Sequence, residues 1–276
     1  MTALAPVIPR TPLDRARWAV RDSWAVCRRD LLHWVAEPFR IVSALLWSVM
    51  LVLLFGYVLG SGMQVPGGGD YMEFLIPGLL VQAMAFGIGE TMTAVTTDAA
   101  AGVTDRFRSM PMAASAVVVG RSLADMINAV LGLAVLVGVG LVVGWEWHGS
   151  PAEAFAAFGL LLLLRFAFLW LGIYLGLLAK SPEAVQGLWA ALFPITMLTS
   201  AFVAPELMPA ALGFVAEWNP LSSTVGATRE LFGNPGVPTG GSWIEEHALL
   251  MAVVWPLILV AVFLPLSVRR YSRLSR

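Results

Sequence analysis

Residue types able to do chemistry are few in this chain, and they are scattered. Lys180 is the only lysine among the 276 residues, and Ala179-Lys180-Ser181 has the ending of a phosphate-binding loop. That loop needs glycine where Tyr174 and Ala179 stand, because its backbone N–H groups must close on the phosphates. Any ATP is therefore expected to be handled elsewhere. His33, His148 and His247 are too far apart in sequence to suggest a metal site. No cluster of histidine, serine and carboxylate has the spacing of an acid–base or nucleophilic centre. No catalytic, cofactor-binding or metal-binding residue is expected. Cys27 stands alone, so it forms no internal disulfide, and its neighbours Arg28 and Arg29 suggest the cytoplasmic side.

What remains is charge in unusual places. Gly102-Val103-Thr104-Asp105-Arg106-Phe107-Arg108-Ser109-Met110-Pro111 sets three charges and a helix-ending proline between two long apolar runs. Such a stretch serves either to fix membrane orientation or to project a short helix whose arginines meet a partner's carboxylates. Glu90 and Arg165 lie inside apolar runs, where a charge at bilayer depth costs roughly 3 kcal/mol. They either pair with each other, since an arginine reaches several ångströms along a helix, or each faces a wet cavity or another partner.

These residues must be positioned by membrane helices. Hydrophobic residues make up 58% of the chain and charged residues 13%, against roughly 25% charged in an ordinary soluble domain. Runs of about 20 apolar residues match a hydrocarbon layer ~30 Å thick, so the fold expected is an all-α polytopic membrane protein. Spans are predicted over 41–60, 71–97, 124–144, 153–179, 184–203 and 247–268, six in all. Residues 1–40 form an amino-terminal arm, 41–268 the membrane domain and 269–276 a basic tail. Over 12–37, Leu13, Val20, Trp24, Cys27, Leu31 and Val35 fall on one stripe at 100° per residue, with Arg28 and Arg29 off it. That is an arginine-rich amphipathic helix lying on a membrane surface. Arg28-Arg29 is not an export signal, because a full span follows instead of a short apolar region and a cleavage site.

Fifteen of the 17 lysines and arginines fall in the arm, the second-to-third connection, the fourth-to-fifth connection and the tail, which makes both termini cytoplasmic. The segment 205–245 is too apolar for a plain external loop and reads as two short helices, 207–218 and 221–232, broken at Asn219-Pro220. Helices of about 12 residues are too short to cross, so they should dip in and return or cap the outer face. Trp24, Trp145, Trp147, Trp218 and Trp243 fall at expected membrane interfaces, where tryptophan anchors.

The stretch Gly102 to Pro111, with Ser181-Pro182-Glu183-Ala184-Val185-Gln186, Phe193-Pro194-Ile195-Thr196, Phe202-Val203 before Met208-Pro209, and Asn219-Pro220 with Arg229 downstream, resembles ABC type 2 exporter permeases, those of the daunorubicin-resistance type in particular. The likeness covers essentially the whole chain. It implies a permease of six helices, dimeric with an identical or related chain, each half seated on one of two copies of a separate ATPase subunit that carries ATP and Mg. It implies that residues from about 99 to 112 are the coupling helix, with Gly102, Asp105, Arg106, Phe107, Arg108, Met110 and Pro111 at the ATPase contact. The amphipathic helix, with Trp24, Arg28 and Arg29, would help form that contact. The insert 205–245 would be paired, partly re-entrant external helices. The family's translocation path, near spans two and five, makes Phe193, Met197 and Phe202 pocket candidates. The setting implied is a bacterial plasma membrane, and the cargo a hydrophobic or amphiphilic drug, lipid or glycan precursor moved outward. A secondary transporter driven by ions is the rival reading; it usually shows repeated halves, and no repeat is visible here, with only Glu90 able to carry protons.

Overall fold

The computed structural model describes residues 11–36, 46, 49–62, 65, 68–102, 116–179, 181–237 and 242–273. Among them all regular structure is helical. The elements are α1 (Pro12–Ala36), α2 (Val49–Val58, its end wound as a π-helix), α3 (Tyr71–Ala100), α4 (Ala116–Val142), α5 (Pro151–Leu178), α6 (Pro182–Met197), α7 (Ala210–Glu217), α8 (Pro220–Phe232), α9 (Trp243–Glu246) and α10 (Ala248–Arg273). Among the described residues α3, α4, α5 and the stretch Ala248–Tyr271 of α10 are long and apolar enough to cross a membrane. The first expected span, 41–60, falls partly outside the described residues.

The centre is α3. Of its apolar stretch 78% is buried inside the protein, against 22% for α4 and 11% for α10, which leaves those two helices to face lipid. Lipid tails are as apolar as leucine, so helices here associate by close packing more than by hydrophobic burial. Gly172 and Gly176 of α5, four residues apart, supply it. A Cβ on Gly172 would stand 3.1 Å from the Ile88 carbonyl oxygen, and one on Gly176 2.9 Å from that of Met92. Into this approach Thr96 donates its hydroxyl to the Gly176 carbonyl at 3.0 Å.

The fifth apolar run is shorter than expected. Helix α6 spans 16 residues and ends at Met197, and residues 198–209 hold only turns and the single 3-10 turn Pro205–Leu207. The carbonyls released at this break need donors, because hydrocarbon offers none. Asn219 Nδ2 donates to the carbonyls of Ile195 at 2.8 Å and Leu198 at 2.9 Å, while its Oδ1 accepts from the Leu221 N–H at 3.0 Å. One side chain thus closes α6 and caps α8. Ser222 adds a hydroxyl that accepts from the Ser200 N–H at 3.0 Å. The expected helix 207–218 is reduced to α7, which starts after Pro209.

Other boundaries move as well. Helix α3 runs to Ala100, so the expected start of the coupling helix at 99 is the last turn of α3. Helix α4 begins by Ala116, which places Arg121 on a helix, where a loop was expected. Helix α10 continues through Arg269 and Arg270, so most of the basic tail is helical. Trp145, expected at an interface, is fully buried. Its Nε1 donates to Asn234 Oδ1 at 3.0 Å and its ring meets Phe232 edge-on at 5.2 Å, so the α4–α5 turn is locked to the end of α8. Trp24, Trp147, Trp218 and Trp243 are exposed.

Helix α1 packs against α4. Leu13, Val20 and Trp24 of its expected stripe are exposed, but Cys27 is fully buried with Val26 and Ser23 on the side facing the bundle. Burial, with Asp30 adding, pushes the Cys27 thiol up. A Cβ on Gly120 would overlap the Ser23 carbonyl oxygen and stand 2.8 Å from Val26 Cβ, so α1 seats only because residue 120 is glycine. In the folded protein Cys27 should resist a maleimide reagent. Gly120→Leu should unseat α1 and raise the labelling rate by at least tenfold, read by mass shift against a denatured control.

Candidate functional site

At the arginine-rich end, where α1 meets the bundle, Asp98 in the last turn of α3 accepts from Arg121 Nη1 near the start of α4. Arg29 Nη2 of α1 stands 3.8 Å from the same carboxylate and 2.6 Å from Asp30 Oδ1. Exposed pairs of this kind are worth about 1 kcal/mol or less each, but several sharing one carboxylate hold a fixed geometry. They line a recess of about 40 Å³ with Val95, Leu177 and Tyr271, so α1, α3, α4, α5 and α10 all meet there. Of the expected site residues Gly102 follows the end of α3 in a left-handed turn at φ +67°. Asp105, Arg106, Phe107, Arg108, Met110 and Pro111 lie outside the described residues. Trp24 and Arg28 are exposed on α1.

Midway along the bundle a cleft of about 390 Å³ opens between α3 and α6. Phe86, Gly89, Glu90 and Thr93 form one wall and Val185, Gln186, Trp189 and Phe193 the other. Of the expected path residues only Phe193 lines it. Met197 packs against the core, and Phe202 is buried, stacked on Phe55 with ring centroids 4.3 Å apart.

Glu90 and Arg165 do not meet. The Arg165 guanidinium lies against Gly87, where a Cβ would come within 2.8 Å of Nε, and its Nη2 donates to Thr91 Oγ1 at 3.3 Å. Thr91 Oγ1 stands 3.1 Å from Asp125 Oδ2 of α4, so a carboxylate lies one hydroxyl away from the buried charge. Gly87 and Thr91 fall on the side of α3 away from Phe86, Gly89 and Thr93 at 100° per residue. Asp125 carries no sequence signal beyond being an acid in an apolar run.

At the opposite end Arg229 of α8 is 2% exposed. Its Nε donates to the Phe74 carbonyl at 3.0 Å and its Nη2 to the Ala201 carbonyl at 3.2 Å, with the guanidinium 3.6 Å over the Phe74 ring. It therefore joins α8, α3 and the broken segment after α6. Nearby on this face, burial with Glu217 and Glu206 pushes the Glu245 carboxyl up.

These features sit in a bundle in which, among the described residues, four helices are long and apolar enough to cross a membrane. Residues 21–232 match the model of the ABC-2 type transporter family. The chain belongs to that family and is a transporter's membrane subunit in the cell membrane, with ATPase activity in a separate subunit. It is 33% identical over 244 residues, 88% of its own length and 83% of the relative's, to the daunorubicin resistance ABC transporter permease protein DrrB1 of Streptomyces coeruleorubidus.

Arg229→Met should remove two bonds to a charged donor and leave two carbonyls short, a loss of about 3 kcal/mol. A fall of several degrees in the thermal midpoint of the detergent-solubilised protein is expected, with Arg229→Lys recovering part of it.

Proposed function

We propose that the chain is the gate of an exporter with six spans, 41–60 being the first and α6 with the segment after it the fifth. Both termini lie in the cytoplasm. Two such chains, identical or related, sit on two copies of a separate ATPase that binds ATP and Mg. The segment 99–112, with Gly102, Asp105, Arg106, Phe107, Arg108, Met110 and Pro111, docks on that ATPase, and the α1 residues Trp24, Arg28 and Arg29 flank the contact. The insert 205–245 caps the outer face and dips partly into the membrane.

The ion cluster at Asp98 carries this reading. It ties α1 to the last turn of α3 and the start of α4, the two elements that flank 103–115. A push on that segment therefore moves three helices together, and α3 is the one around which the bundle packs. Closure of the ATPase pair on ATP would supply the push and shift the spans between inward and outward forms. Cargo moves outward between α3 and α6, and a hydrophobic or amphiphilic molecule suits walls of phenylalanine and tryptophan. The similarity to a daunorubicin resistance permease supports a drug-like cargo over a lipid or glycan precursor.

Replacing Arg106 and Arg108 by glutamate should leave the protein in the membrane but cut ATPase co-purification at least tenfold or separate ATP hydrolysis from export. Unchanged assembly and transport would remove the role assigned to this stretch.

A further inference from the structure

Polar contacts between α3 and α4 fall on one stripe that runs from the arginine-rich seat into the bundle. Asp98 and Thr91 are two turns apart on α3, and Arg121 and Asp125 one turn apart on α4, so at 100° per residue each pair shares a face. Asp98 meets Arg121 at the seat, and Thr91 Oγ1 meets Asp125 Oδ2 at 3.1 Å further in. Arg165 of α5 joins this second contact, because its Nη2 donates to the same hydroxyl at 3.3 Å. Three helices thus meet on the side chain of Thr91.

That meeting leaves charge under-served. A threonine hydroxyl has one proton to give, and this one stands within reach of two acceptors, the Gly87 carbonyl at 3.0 Å and Asp125. Arg165 is 3% exposed, yet among the described residues its one hydrogen bond is to a neutral hydroxyl, and its Nη1 has no partner. Asn128, one turn beyond Asp125 on α4, keeps a buried Oδ1 that also lacks a partner. A buried guanidinium is held better by a carboxylate in direct contact, with further acceptors for its remaining donors. Asp125 and Asn128 are such a set, on the adjoining helix.

The packing says which helix can move. A Cβ on Gly172 of α5 would stand 3.0 Å from Thr91 Cβ, and one on Gly87 would overlap the Arg165 guanidinium, so Thr91 and Arg165 are both set hard against the α3–α5 contact. The apolar stretch of α4 is only 22% buried, against 78% for α3 and 44% for α5, which leaves α4 the least held of the three. We propose that Thr91 is the pivot of a two-position latch. In this arrangement its hydroxyl bridges Arg165 and Asp125; in the outward form α4 closes on α5 and Asp125, with Asn128, takes the guanidinium directly. Thr91, Asp125, Asn128 and Arg165 are positioning residues, and the latch rests on the reading that ATP closure of the ATPase pair drives the spans.

The test is the affinity of the complete permease–ATPase complex in lipid nanodiscs for the non-hydrolysable ATP analogue AMP-PNP, since a nucleotide that favours the outward form binds more tightly when that form is easier to reach. Thr91→Val keeps the side-chain shape and removes the bridge, so it should raise the affinity about threefold or more, and Thr91→Ser should return it toward the native value. Asp125→Asn keeps an acceptor for Thr91 and removes the charge of the direct pair, so it should lower the affinity about threefold or more. Opposite signs are the signature of a latch, because general damage to the bundle moves both variants the same way. Shifts of the same sign, or native affinity in either variant, overturn the proposal; should one variant fail to assemble, the sign of the other decides. Native affinities beside intact ATP-driven export would fault the latch alone, whereas export that needs no ATP would fault the ATP-driven reading itself.

Discussion

A bilayer offers no hydrogen bonds, so a helix that stops inside it must find donors for the carbonyls it leaves open. Helix α6 stops after 16 residues, and the carbonyls at and beyond that stop are met from within the protein. The donors come from α8: Asn219 at its start takes two carbonyls of the α6 end, and Arg229 takes one beyond it together with one from α3. The insert is therefore packed into the helical bundle by these bonds. Its own far end is held in turn, since the Phe232 carbonyl accepts from His148 N–H at 2.8 Å and Gly149 N–H at 3.1 Å. The α4–α5 turn and α8 thus brace each other.

The two ends of α3 are tied differently. At the acidic end α3 is gripped by a buried guanidinium that takes the Phe74 backbone carbonyl and lies over the Phe74 ring. At the arginine-rich end the ties run between partly exposed side chains, Asp98 with Arg121 and Arg29. Such contacts are weaker and rearrange at lower cost. A rigid clasp at one end of α3 and a looser seat at its arginine-rich end suit the lever proposed above. Between them the Gly172–Gly176 approach holds α5 close against α3.

Much of this was legible in the sequence. Runs of apolar residues reveal helices long enough to span because length and hydrophobicity are local properties, and the helical class follows from them, while the break at Asn219-Pro220 follows from the proline. Cys27 and Trp145 were placed at surfaces because periodicity and residue type say which face is apolar, but not whether lipid or protein covers it. The end of α3 and the start of α4 carry Asp98 and Arg121 and are too polar to read as span, so both helices run further than expected. Arg165 is not beside Glu90 as the sequence allowed; it bonds Thr91, whose hydroxyl also meets Asp125 of α4, a relation set by packing against Gly87. Arg229 looked like an isolated external arginine, because nothing local signals that carbonyls 28 and 155 residues away will need it.

The most direct measurement is export from liposomes by the purified chain with and without its ATPase subunit. The account requires that a fluorescent amphiphile cross only when the ATPase and ATP are both present. Sustained uphill movement by the chain alone, with no ATPase in the preparation, would contradict it.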